Sequence, residues 1–135
     1  MRPIASLRGV RVIRSAAAFG ASRVVLLGEA AHPFLPKVCR AAGTSLLKIP
    51  LLSGPKLRDI EDRDGLFSLS MTGKDLGRFA FPGAFGLLAG LEGQGLPERF
   101  RCGKTVRIPM ENECESLNAA ASIAVALYAW RSSNK

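Results

Sequence analysis

The first 58 residues contain a single acid, Glu29, against ten Lys and Arg, whereas the rest of the chain holds nine bases and ten acids. One half is therefore strongly basic, at +9, beside a half at −1. That distribution is the electrostatic footprint of a phosphate-backbone partner, RNA or DNA, with a merely solvated basic face as the bland alternative. Histidine is nearly absent: His32, next to Pro33, has no acid or nucleophile in an obvious pairing, so a hydrolase triad is unsupported. The three cysteines (Cys39, Cys102, Cys114) are odd in number and form no C-x-x-C pair. This excludes a disulfide framework and a zinc site, predicts no bound metal, and fits a reducing cytoplasm. No apolar run approaches the roughly 18 residues of a membrane span. The tail after Asn118 is broken by Ser122 and stops at Trp130. The opening stretch MRPIASLRGVRVIR has arginine every few residues, with no apolar core or A-x-A site, and does not read as a secretory signal.

What is present is apolar. Hydrophobic residues make up 47% of the chain and charged residues 22%, the composition of one packed domain over residues 1–135. The apolar excess points to a face shared with a partner chain. GVRVIRSAAAFG (9–20) has apolar residues at helical spacing and closes on Gly20, a good helix C′ residue. SRVVLLGE (22–29) reads as a buried strand and HPFLPKVCRAAG (32–43) as a helix opening on Pro33. LLKIPLL (46–52) reads as a strand, with Pro50 placing it at a sheet edge or marking its end. SGPKLRDIEDRDG (53–65) predicts a short helix, GLFSLSM (65–71) a strand, and TGKDLGRFAFPG (72–83) a turn region. Strands follow at FGLLAG (85–90) and KTVRIPM (104–110), then a terminal helix from about Ser116 to Trp130. Phe79, Phe81 and Phe85 read as core, and Leu127, Tyr128 and Trp130 as core or dimer interface. Strands alternating with helices imply an α/β fold with a mainly parallel sheet and helices on both faces. Ligands of such sheets bind beyond the carboxyl ends of the strands, where the loops Gly90–Leu96 and Pro109–Asn118 fall.

Two nucleotide motifs fail. GLEGQG (90–95) is not the G-x-G-x-x-G of dinucleotide folds, and SMTGKD ends on Asp75 where a P-loop needs Ser or Thr. The glycines at 90, 93 and 95 would still bring backbone close to a ligand, with Glu92 as an acceptor among them, and a tight surface turn is the plain alternative.

LLAGLEGQGLP (87–97) followed by IPMENECESLNAAASIAVALY (108–128) resembles the second and third motifs of the SpoU-type, or TrmH-like, RNA ribose 2′-O-methyltransferases of the SPOUT class. RSAAAFGASRVVLL (14–27) resembles the later part of that family's first motif, with Arg14 at its arginine. The resemblance runs from about Val12 to Tyr128. It implies a deep C-terminal trefoil knot, S-adenosyl-L-methionine as cofactor, a homodimer, and transfer of the cofactor's methyl group to a ribose 2′-hydroxyl of tRNA or rRNA. Cofactor contacts carry over to Gly90, Ile108 and Leu117, with Leu88, Gly95, Leu96 and Met110 shaping the pocket. Catalytic and substrate-ordering positions carry over to Arg14, Glu92, Ser116 and Asn118. A guanidinium keeps its proton far above neutral pH, so a phosphate clamp suits Arg14 better than a base.

The chain departs from the family at its start. Arg8 stands at the family's Asn and Val10 at its Gly, and the preceding strand is expected to be missing or reduced to MRPIASL. That departure keeps an alternative open: a catalytically impaired RNA-binding dimer that holds the cofactor without turnover. The N-terminal RNA-binding domain frequent in the family is expected to be lacking as well, which leaves target choice to the basic half.

Overall fold

The computed structural model describes residues 5–6, 10–28, 36, 39–40, 43–44, 48–61, 64–88, 96, 98–101, 104–111 and 117–134. In chain order these form β1 (Ala5–Ser6), α1 (Val10–Phe19), β2 (Val24–Leu26), β3 (Leu51–Ser53), a 3-10 turn (Leu57–Asp59) and β4 (Leu66–Asp75). A second 3-10 turn (Leu76–Arg78), β5 (Gly86–Leu88), α2 (Glu98–Arg101), β6 (Thr105–Arg107) and α3 (Ala119–Ser133) follow. The strands make one sheet in the order β3-β2-β1-β5-β4-β6, and every pairing is parallel.

Alternation along the strands builds two cores. Val24, Leu87 and Val106 face Val12, Ile13 and Ala16 of α1 and Ile123, Ala126 and Leu127 of α3, all at most 2% exposed. Their neighbours Leu27 and Leu88 turn to the opposite face and pack with Leu57, Leu96 and Phe100 of α2. Helices thus cover both faces, α1 and α3 on one and the single turn of α2 on the other. Each fully buried leucine stabilises by about 1.5–3 kcal/mol.

The ends of α1 follow from its sequence. Gly20 sits at φ +80°, donates to the Ala17 carbonyl at 3.3 Å, and Ala21 donates to Ala16 at 2.9 Å. This is the Schellman closure that glycine at C′ permits. α3 is rich in alanine, the best helix former, and Asn118 caps it: its Oδ1 accepts from the Ala120 N–H at 2.8 Å. The helix begins at Ala119, later than the expected Ser116, and its first turn carries no acid.

Three expectations need correction. The N-terminal strand is not missing but falls within MRPIASL, the other expectation for it: Ala5–Ser6 lies mid-sheet between β2 and β5. Thr72–Asp75 is not turn but the far end of β4, whose pairing to β6 jumps from Leu69 to Lys74 at Val106. Gly73 explains this, because at φ +131° an added Cβ would lie 2.5 Å from Thr105 Oγ1, so close strand approach and not turning requires glycine there. Between the expected strands at 85–90 and 104–110, where no element was expected, Glu98–Arg101 forms α2. The edge position inferred from Pro50 holds: β3 is an edge strand, and the Pro50 carbonyl accepts from Val24 N–H at 3.0 Å. The phenylalanines do pack, in a run of ring contacts Phe67–Phe79 (4.9 Å), Phe79–Phe81 (4.9 Å), Phe81–Phe85 (5.0 Å) and Phe85–Trp130 (5.9 Å). Most of the helix expected over 32–43 lies outside the described residues, with Pro36, Cys39 and Arg40 helical.

Candidate active site at the carboxyl edge of the sheet

Because all the strands are parallel, their carboxyl ends share one edge, the usual place for a ligand in an open α/β sheet. Leu88 ends β5 at the level of Ser68, and Thr105 opens β6 at that same level, so β6 runs on past the end of β5. The half-buried Ile108 and Met110 leave β6 at this edge. Leu117, 41% exposed, and the cap residue Asn118 stand where α3 begins.

α1 and α3 pack side by side with their carboxyl ends together: Phe19 meets Tyr128 at 6.1 Å between ring centroids, and a Cβ on Gly20 would lie 3.6 Å from the Arg131 guanidinium. Their starts therefore share the other end, the carboxyl edge of the sheet from which α1 departs. Arg14, exposed in the second turn of α1, belongs to that end, as does Asn118.

The sequence-derived residues accordingly divide into three groups. Ile108, Met110, Leu117 and Asn118 stand at the carboxyl edge where β6 ends and α3 begins, and Arg14, on α1, faces the same edge from the β1 side, β1 and β6 being three strands apart. Leu88 and Leu96, 0% and 5% exposed, lie in the second core and can form only the floor beneath that edge. Gly90, Glu92, Gly95 and Ser116 lie outside the described residues. The sequence motifs do not include the Ser70–Gly73 excursion of β4, where Ser70 and Thr72 share a hydroxyl hydrogen bond of 3.3 Å beside Met71, 51% exposed. An isolated glycine inside a strand pattern was its available signal. Among the described residues, no three His, Cys, Asp or Glu gather as a metal site would require.

Known structures share this architecture. The SpoU methyltransferase AviRb from Streptomyces viridochromogenes, crystallised with AdoMet, superposes with a TM-score of 0.83 at 28% identity, covering 99% of this chain and 57% of that one. The fold is thus that of the SpoU methyltransferases. The family model described as the SpoU rRNA Methylase family matches residues 11–128, and the chain belongs to that family. A curated relative from Syntrophobacter fumaroxidans, the ribosomal RNA small subunit methyltransferase G 2, is 53% identical over 119 residues, which are 88% of this chain but 24% of that protein. The 23S rRNA (uridine(2479)-2′-O)-methyltransferase of Streptomyces viridochromogenes is 33% identical over 130 residues, with 87% of this chain and 45% of that protein covered. The chain therefore spans less than half the length of either curated relative, and their names describe much longer proteins.

Proposed function

We propose that this chain is one methyltransferase domain over residues 1–135 that methylates a ribose 2′-hydroxyl of tRNA or rRNA, with S-adenosyl-L-methionine as methyl donor. The proposal is carried by membership of the SpoU family over residues 11–128, and it is supported by an all-parallel sheet whose carboxyl edge holds Ile108, Met110, Leu117 and Asn118. The residues fit the cofactor. Leu117 and the half-buried Ile108 and Met110 offer apolar surface that suits an adenine ring and a thioether chain, beside open backbone groups where β6 ends. Ile108, Leu117 and Gly90 would hold the cofactor, with Met110 and Gly95 shaping the pocket and Leu88 and Leu96 beneath. When bound, the cofactor supplies an electrophilic methyl group on a sulfonium centre.

The chain's own part is positioning. Arg14 would clamp a phosphate beside the target ribose, and its fixed charge would lower the pKa of the 2′-hydroxyl. Glu92, Ser116 and Asn118 would order the substrate, and holding the reacting oxygen in line supplies much of the acceleration in such a transfer.

The proposal extends to a homodimer, a C-terminal trefoil knot and a cytoplasmic setting. Support for the dimer comes from α3, which leaves Val125 and Tyr128 41% and 62% exposed one turn apart. Support for the setting is the odd number of cysteines and the lack of any C-x-x-C pair in the sequence. No helix among the described residues is long and apolar enough to cross a membrane.

The test is transfer of labelled methyl from the cofactor to tRNA and to rRNA fragments, with the product nucleotide mapped by its resistance to alkaline hydrolysis. A label that leaves with alkali-sensitive linkages would refute the 2′-O assignment. One observation favours a second function, cofactor and RNA binding without turnover: Val10, at the family's glycine, is the first residue of α1. Calorimetric binding of the cofactor together with no incorporation would select it.

A further inference from the structure

Several exposed cations, Lys56, Arg58 and Arg78 among them, follow β3 and β4 toward the carboxyl edge, whereas Arg23, Lys48 and Arg131 lie at the opposite, amino edge. Arg23 immediately precedes β2, and Lys48 stands two residues before Pro50, whose carbonyl takes the Val24 N–H at 3.0 Å. Arg131, in the last turn of α3, reaches the same corner, with a guanidinium nitrogen 3.6 Å from where a Cβ on Gly20 would stand. All three side chains are exposed around the turn that joins α1 to β2.

The described acids lie elsewhere. Asp59 follows β3 and Asp75 ends β4, both toward the carboxyl edge, and the exposed Glu61 follows Leu57 and Ile60, which pack on the face of the sheet opposite α1 and α3. Glu98 opens α2 on the opposite face of the sheet from α1 and α3, and Glu111 follows β6 at the carboxyl edge. Asp64, at the amino end of β4, is held by Lys104 at 3.3 Å. In the strand order β2-β1-β5-β4 it is three strands from Arg23, roughly 14 Å at about 4.8 Å per strand. Hence the described acids do not cancel the positive potential at this corner, and among the described residues none of the three cations makes an ion pair.

We infer that Arg23, Lys48 and Arg131 form a docking surface for the RNA phosphate backbone, distinct from the methyl-transfer edge, that grips the body of the substrate while a nucleotide is presented on the far side of the sheet. Charge complementarity and separation from the site carry this inference, and it rests on RNA being the partner. Strands of three residues, at about 3.3 Å each, leave the two edges close enough for one folded RNA to touch both. Contacts of this kind set affinity and its salt dependence but not the chemistry.

The experiment uses the full chain carrying Arg23→Gln, Lys48→Gln and Arg131→Gln together, with bulk tRNA, an rRNA fragment and a short single-stranded oligonucleotide as probes. The surface predicts that Kd for the folded RNAs rises about tenfold and that the slope of log K against log salt falls by about 2, because three cations no longer displace counterions from phosphates. It also predicts that KM for RNA rises while kcat and the melting temperature hold, and that the oligonucleotide is bound unchanged. An unaltered salt slope for folded RNA would overturn the inference. So would tighter wild-type binding of polyglutamate than of RNA with the same dependence on the three residues, because the surface would then serve an acidic polypeptide. Binding is read without turnover, so a wild-type chain that grips RNA through this corner but transfers no methyl would refute the proposed activity and leave the surface standing.

Discussion

Replacing Asn118 by alanine isolates a site residue whose side-chain hydrogen bond is defined. Its Oδ1 accepts the Ala120 N–H at 2.8 Å, closing the start of a 15-residue helix whose Ile123, Ala126 and Leu127 are core. Without the side chain, water can still reach that exposed N–H, so the loss is that of an N-cap, about 1 kcal/mol. Unfolding entropy of about 2.1 cal/mol/K per residue converts this to a melting point lower by roughly 3–4 °C for a chain of this size. Asn118→Asp should keep the cap and add favourable charge at the helix start, about 0.3–1 kcal/mol, and so melt no lower than the parent. Thermal unfolding followed by circular dichroism, with methyl transfer measured on the same preparations, separates the cap from the chemistry. If Asn118→Asp is stable but inactive, the side-chain amide acts on substrate; if it is stable and active, Asn118 serves chiefly to fix the helix start. An alanine variant that melts with the parent, or an aspartate variant that falls as far as the alanine one, would refute the capping account.

Gly73→Ala forces a Cβ to within 2.5 Å of Thr105 Oγ1 and 2.6 Å of its carbonyl oxygen at φ +131°. It should cost about 3 kcal/mol, read as a lower urea midpoint, from overpacking and strain together. Leu127→Ala, at a side chain 1% exposed between α1, α3 and the sheet, should lose about 2–5 kcal/mol in the same assay with the slope unchanged. Arg14→Ala, at an exposed position, should leave the melting point within a degree or so and reduce methyl transfer about 100-fold. Full activity in that variant would remove Arg14 from the site.

The elements written in local chemistry were legible in the sequence: Gly20 as a helix stop, Pro50 as the mark of an edge strand, the switch from β-branched to alanine-rich stretches. β1 was not legible, because Ala5 and Ser6 have no strand propensity of their own and are ordered by pairing on both sides. Residues 72–75 look like a turn since Gly, Lys and Asp disfavour strands, yet contact with Thr105 holds them in the sheet. Acids at 111, 113 and 115 suggest charge placed at a helix start. The start of α3 is instead set by Asn118, with the exposed Glu111 outside the helix. Of the site, the apolar edge and Arg14 could be named from motif resemblance, whereas the sorting of the cations onto two opposite edges depends on strand order, which one-dimensional spacing does not contain.

Strand β1 also has a geometric meaning. Among the described residues, β1 joins the β3-β2 part of the sheet to the β5-β4-β6 part, with Ala5 paired to Val25 on one side and to Leu88 on the other. It is the seam between the two parts. Arg14 rides on α1, which follows β1 at that seam, while Ile108 and Met110 belong to the β6 side. The register of β1 with β2 and β5 therefore fixes the distance between Arg14 and the apolar residues that follow β6.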